Sequence, residues 1–246
     1  MLGQPVDPTP ALVPQRTTLS GRLVVLEPLE AVKHAAGLWM LTRESDGLWQ
    51  YLPYGPFDTY EAFQHDLEEK ANSDDPLFFA ILDRQTSTAC GYAALMRIIQ
   101  VHRCIEVGHV LYSPRLQRSP GATEAMYLLA RYVCEDLHYR RYEWKCDALN
   151  AGSRRAALRL GFQFEGIFRQ HMIVKSRNRD TAWFSMLDSE WPVRKANFER
   201  WLSPANFDCS GRQLCSLTML NQSEVHESVI GGPKAAERGQ KNGRRY

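Results

Sequence analysis

No Cys-x-x-Cys pair and no zinc-ligand spacing occur among the six cysteines, Cys90, Cys104, Cys134, Cys146, Cys209 and Cys215. A zinc module is therefore not encoded. Four of the six lie in apolar stretches, where a thiol behaves as a small buried hydrophobe, and that usage suits a reducing compartment. The seven histidines form no HxxH or HExxH spacing, so no metal is expected. Neither GxxxxGK[ST] nor a GxGxxG following a strand is present, which removes P-loop and Rossmann nucleotide binding. No uncharged apolar run approaches the roughly eighteen residues of a membrane span. The first sixteen residues lack a basic start followed by an apolar run, so a secretory leader is not expected and a cytoplasmic protein is. Charge of one sign is scarce too: 30 basic against 28 acidic side chains leave +2. That excess is too small to call for nucleic acid or a membrane surface as partner. All of it sits in residues 221–246, with five basic and three acidic residues.

What is present is the composition of a globular enzyme-sized chain, 44% hydrophobic and 24% charged in 246 residues. One sizeable domain of that length buries a core without disulfides or metals. Residues 1–15 read as a Pro-rich flexible leader, residues 16–205 as the domain, and residues 206–246 as an extension, largely disordered after 220. Within the domain, Arg22–Glu27 reads as a strand, Ala31–Leu41 and Tyr60–Ala71 as helices, and Leu77–Leu82, Ala89–Ile99 and Cys104–Tyr112 as a meander. Apolar residues from Ala122 to Leu137 recur at helical spacing. Strand Arg141–Cys146, helix Ala151–Leu160, strands Phe164–Val174 and Thr181–Leu187 around a turn at Lys175–Arg179, and a helix Glu190–Trp201 complete the order. This pattern predicts an α/β (α+β) fold with a mixed, mostly antiparallel sheet flanked by helices on both faces.

The segment Glu106–Ala125 carries the chemistry. A strand runs through a short loop of small residues into a helix whose free N–H groups and dipole form an anion site. Ser119 suits the N-cap and Pro120 the first helical position. A well-capped core helix explains the same residues, and on this segment alone the two readings stand level.

Gln117-Arg118-Ser119-Pro120-Gly121-Ala122, followed by Thr123-Glu124-Ala125, resembles the acetyl-CoA loop of the GNAT superfamily, with Pro120 where the family has its first glycine. The block Asn150-Ala151-Gly152-Ser153, then Leu160-Gly161-Phe162 and Glu165-Gly166, resembles the N-x-x-S…G-F-x-x-E-G block of the ribosomal-protein-type N-terminal acetyltransferases (acetyltransferase family 3-like). Thr18–Arg22, Gly91-Tyr92-Ala93 and Arg177–Thr181 are further family-like pieces. The resemblance spans about three-quarters of the chain. It implies an acetyl-CoA-dependent N-acetyltransferase acting on a primary amine of a small molecule, an aminoacyl compound or a protein N-terminus, as monomer or homodimer. A catalytically inactive acyl-CoA-binding module of the same fold is the alternative, favoured by Pro120 and by Ala157 where much of the superfamily has an acidic tyrosine.

By the same resemblance the thioester lies along Val110, Leu111 and Tyr112, and the pyrophosphate on Gln117, Arg118, Ser119, Pro120, Gly121, Ala122 and Thr123, with Asn150, Ser153 and Arg154 nearby. Glu106 is the candidate base; alternation places it on one face with Gly108, Val110 and Tyr112, among apolar residues that raise a carboxyl pKa. A strand-end ion pair explains it equally in kind. Ser153 is the candidate acid, against a serine making a local backbone bond. Glu165 is a further carboxylate implied for the amine. Trp49 and Tyr51 in an aromatic loop, Tyr92, and His171 in the late hairpin are the acceptor candidates, against aromatic packing.

Overall fold

The computed structural model describes residues 2–222. Eight strands form one sheet in the order β1-β2-β3-β4-β5-β6-β8-β7. These are β1 (Leu19–Ser20), β2 (Val24–Pro28), β3 (Leu77–Asp83), β4 (Ala89–Ile99), β5 (Cys104–Tyr112), β6 (Arg141–Asp147), β7 (Gln163–Val174) and β8 (Arg177–Leu187). All neighbours are antiparallel except β5 and β6. The helices are α1 (Ala31–Thr42), α2 (Tyr60–Asn72), α3 (Pro120–Arg131), α4 (Ala151–Arg159) and α5 (Trp191–Leu202).

Alternation along the strands builds two cores, one on each side of the sheet. Strand β3 shows it most clearly: Phe79 and Ile81 join the core under α3, α4 and α5, while Phe78, Ala80 and Leu82 join the one under α1 and α2. Both sets are buried, so β3 reads as a continuous apolar run and each large side chain contributes on the order of 1.5–3 kcal/mol of transfer free energy. Helix α3 starts two residues earlier than the apolar period suggests, because Ser119 caps it and Pro120 opens it. It loosens into a π turn at Tyr132–Asp136. The β7–β8 turn is tighter than expected. Lys175 and Ser176 both adopt the left-handed region (φ 47 and 59), closing a two-residue hairpin and leaving Arg177–Arg179 in β8.

Glu124 fastens α3 to the first strands. Its buried carboxylate accepts the backbone N–H groups of Arg22 (3.0 Å), Leu23 (2.6 Å) and Val24 (2.8 Å). The segment read as a loose leader is docked at its end: Ala11 is buried, its N–H reaches the Gln100 carbonyl, and the Gln15 N–H reaches the Tyr132 hydroxyl. The extension also packs. Residues 217–222 are helical, Leu217 and Leu220 are buried, and the Asn221 side chain bonds Asn197 and the Arg159 carbonyl. The remainder of the tail expected to be disordered, residues 223–246, lies outside the described residues.

Candidate active site

The parallel pair β5–β6 is in register only from Cys104↔Arg141 to Val107↔Trp144. From Gly108 onward no strand pairs with that flank of β5 among the described residues. The two strands part there, and a groove of about 1320 Å³ opens between them. On the other flank β5 carries a bulge. Ala94 opposes Gly108 and Tyr92 opposes Leu111, so His109 and Val110 face the single residue Ala93. His109 takes φ +50 to achieve it.

This bulge corrects one expectation. Strict alternation would keep Glu106, Val110 and Tyr112 on one face. Instead the extra residue inverts the pattern: Val110 and Tyr112 pack toward the α3 core, while His109 turns to the α1–α2 side, against Tyr54 and Phe78. A second bulge, at Arg97-Ile98 in β4, is held by Asp75, whose carboxylate accepts both bulged N–H groups (2.8 and 3.1 Å).

Glu106 lines the groove and is buried, 4% exposed. Its carboxylate lies 2.9 Å from Lys145 Nζ and 3.5 Å from Arg97 Nε. Burial pushes its carboxyl above the usual range, with Lys145 and Arg97 opposing. Lys145 also pairs with Glu143 at 2.6 Å and sits 3.9 Å over the Trp183 ring. Glu106 is thus both the ion-paired group and a groove carboxylate. Ser153, at the start of α4, lines the groove as well. Its N–H is capped by Asn150 (2.9 Å), and its hydroxyl oxygen accepts the Trp144 indole N–H (2.9 Å).

Val110, Leu111 and Tyr112 border the groove, as do Gln117, Arg118, Ser119 and Pro120. Ala122, Thr123 and Asn150 continue the same wall. Arg118 is left-handed (φ 57), and the Ser119 hydroxyl accepts the Ala122 N–H at 3.2 Å. Gly121, placed with the pyrophosphate by the resemblance, does not border the groove. It is buried, and a Cβ there would come 3.0 Å from Val24, so the missing side chain serves helix–sheet packing. Arg154 turns away to the Ala148 carbonyl and the Phe164 ring; Arg155 and Arg159 are the α4 arginines on the groove.

The other candidates divide. Tyr51 borders the groove and donates to the Leu149 carbonyl. Trp49 is buried among Tyr54, Phe57 and Phe63, and Tyr92 is fully buried, donating to the Tyr54 hydroxyl; neither reaches the groove. For both, aromatic packing is what the structure shows; in the sequence it looks the same as stacking on an acceptor. His171 bonds Thr181 and borders a separate shallow depression with Phe168 and Asn178. Glu165 is held by Arg141 and by the Ser185 hydroxyl (2.8 Å), away from the groove, and Arg141 keeps its carboxyl below the usual range.

Groove residues that were not anticipated include Arg97, His109, Lys145, Arg159 and Arg179. His109 is the most constrained. Its ring stacks on Tyr54 (5.6 Å, 9°), and Nδ1 lies 3.1 Å from the Tyr54 hydroxyl. Burial first, then Lys70, Arg179 and Arg97, push its pKa down to about 4, so the ring is neutral near pH 7. A polar residue inside the strand run V-G-H-V was the only available signal.

The family described as the acetyltransferase (GNAT) domain matches residues 23–163. A GCN5-related N-acetyltransferase from Brucella melitensis is 47% identical, with a TM-score of 0.85 over 87% of this chain and 97% of that one. A Chromobacterium violaceum structure of the GNAT family is 41% identical, with a TM-score of 0.73 over 78% of this chain and 98% of that one. The Bacillus subtilis protein named "Putative ribosomal N-acetyltransferase YdaF" is 26% identical across 70% of this chain and 93% of its own. The match covers more than half of the chain and includes the strand splay, the α3 loop and the Asn150 block. The chain belongs to the GNAT acetyltransferase family and is an acetyltransferase acting on amines.

Proposed function

We propose that the protein moves the acetyl group of acetyl-CoA directly to a primary amine in a ternary complex. The observation that carries this reading is the single groove along the unpaired flank of β5, with Glu106 on one side and Ser153 on the other, ending at the N-terminus of α3. An extended pantetheine fits beside a strand that, among the described residues, has no paired strand on that flank beyond Val107. The pyrophosphate is suited by the α3 N-terminus, with Arg118, Arg155 and Arg159 bordering the same groove.

In the reaction the amine nitrogen attacks the thioester carbon, and its proton passes to Glu106, directly or through one water. The oxyanion of the tetrahedral intermediate takes a hydrogen bond from the backbone N–H of Val110. The C–S bond then breaks, the thiolate takes the Ser153 hydroxyl proton, and the proton held by Glu106 passes through water to the Ser153 alkoxide, which restores both residues. Since the Ser153 oxygen already accepts the Trp144 indole, its own proton is the one left to give. Glu165, tied to Arg141, takes no part in this scheme. A buried carboxylate on the groove, Glu106, favours turnover over a merely binding protein.

Calorimetric titration with acetyl-CoA, followed by thiol release with a panel of amines, tests the reading. Binding together with amine-dependent thiol release is the expected outcome. Absence of acetyl-CoA binding refutes it.

A further inference from the structure

We infer that the acceptor is a small primary amine that carries a carboxylate, held by the guanidinium of Arg179 with Arg97 beside it. This rests on the acetyl-transfer reading above and names the substrate class for that site.

The groove has two unlike walls on the α1–α2 side of the sheet. One is the loop after α1, where Leu48, Tyr51, Leu52 and Pro53 present little charge. The other comes from the β7–β8 hairpin and the bulge of β4 and presents Arg179 and Arg97. The hairpin is fastened over the groove: Lys175 Nζ donates to the Trp49 carbonyl at 2.8 Å and to that of Gly55. Arg179 is thereby fixed on an ordered strand, opposite Met172.

The charge balance on this wall is uneven. Lys145 is saturated by Glu106 and Glu143. Asp180 is occupied by the Gln170 N–H and the Asn178 amide, and Asp147 by the Leu149 N–H. The Arg97 guanidinium has one ion pair among the described residues, with Glu106 at 3.5 Å. Arg179 has no hydrogen bond or ion pair among the described residues, although its Nε is buried. A buried donor without an acceptor is costly, and a guanidinium presents its donors as a planar fork that matches a carboxylate. Both arginines line the same groove as His109. Glu106, at the edge of that space, is positioned for the amine of the same molecule.

The test compares each L-amino acid with its own carboxamide in the thiol-release assay. The amides are less basic and so present more free amine at neutral pH, which biases the comparison against the expected result. The amino acids should nevertheless be used at least tenfold better in kcat/KM. Arg179→Gln should raise KM for the amino acid at least tenfold and abolish the acid-over-amide preference, with acetyl-CoA titration reporting that the fold is kept. Equal use of acids and amides overturns the inference. So does turnover confined to peptide amides whatever their first residue. If acetyl-CoA binds but nothing releases thiol, the amino acids are titrated into the CoA-saturated protein. Binding that Arg179→Gln removes then retains the carboxylate site and refutes only acetyl transfer; no binding overturns the site itself.

Discussion

His109 offers a measurement in which the structure sets both sign and size. Its ordinary pKa of 6.5 falls to about 4 in the fold, through burial between Tyr54 and Phe78 and the nearby cations Lys70, Arg179 and Arg97. The unfolded chain therefore binds a proton at this residue over a pH range where the folded protein does not. The stabilisation is fully present above pH 6.5 and is lost as pH falls through about 4. At about 1.4 kcal/mol per unit, the shift corresponds to about 3 kcal/mol. The perturbation to use is His109→Asn. Asparagine tolerates the φ of +50, can still meet the Tyr54 hydroxyl, and does not titrate. Urea unfolding of both proteins at pH 7, 5.5 and 4 isolates the residue, because the other carboxylates and histidines titrate alike in both and cancel in the difference. The native protein should lose about 3 kcal/mol relative to the variant between pH 7 and 4. Parallel stability profiles would refute the claim that this imidazole is held neutral in the groove.

Glu106→Gln should reduce kcat/KM by about 10²–10⁴ near pH 6 if the carboxylate takes the amine proton, with the gap closing at alkaline pH as the free amine forms unaided. Stopped thiol release across pH checks it, and a pH-independent deficit would mark a structural ion pair instead. Its stability cost should stay modest, about 1–3 kcal/mol by denaturant midpoint, because Lys145 keeps Glu143 as partner. Gly121→Leu should lower the unfolding midpoint rather than selectively weaken acetyl-CoA binding, since the new side chain meets Val24; weakened binding at unchanged stability would return Gly121 to the ligand wall.

The sequence carried most of the layered fold because each element states its own period. Phe78–Leu82 alternates into two cores, and Ser119-Pro120 announces the start of α3 through local chemistry alone. The loop and helix residues bordering the groove from Gln117 to Thr123 were legible for the same reason, apart from Gly121, which needed knowledge of Val24 across the sheet. The two bulges were not legible. Arg97 and His109 adopt left-handed backbone without being glycine or asparagine, and what stabilises them is distant in sequence: Asp75 for one, Tyr54 for the other. The placement of Lys70 is a tertiary matter as well. It is buried, pairs with Asp66 and lies 3.5 Å over the Tyr54 ring, in a helix whose polar pattern reads as solvated. In the extension, Leu214, Leu217 and Leu220 follow a helical spacing, yet only Leu217 and Leu220 find a core.

Several departures from local rules border the groove, while others, such as left-handed Lys175 and Ser176, close ordinary turns. Left-handed Arg97, His109 and Arg118 each border the groove, and such backbone costs of order 1–3 kcal/mol at a residue with a bulky side chain. The buried ion cluster around Lys145 borders it as well, although an apolar replacement of such a cluster is often no less stable. The buried, unpartnered Nε of Arg179 is on the same wall. Stability alone does not call for these costs at the groove, since left-handed backbone is strained and a buried ion cluster is often no more stable than an apolar one. Their shared position is explained if each sets a group for the same reaction. The β5 bulge turns His109 and Val110 to opposite sides of that strand, the β4 bulge brings Arg97 to Glu106, and the β7–β8 hairpin places Arg179 on the same groove.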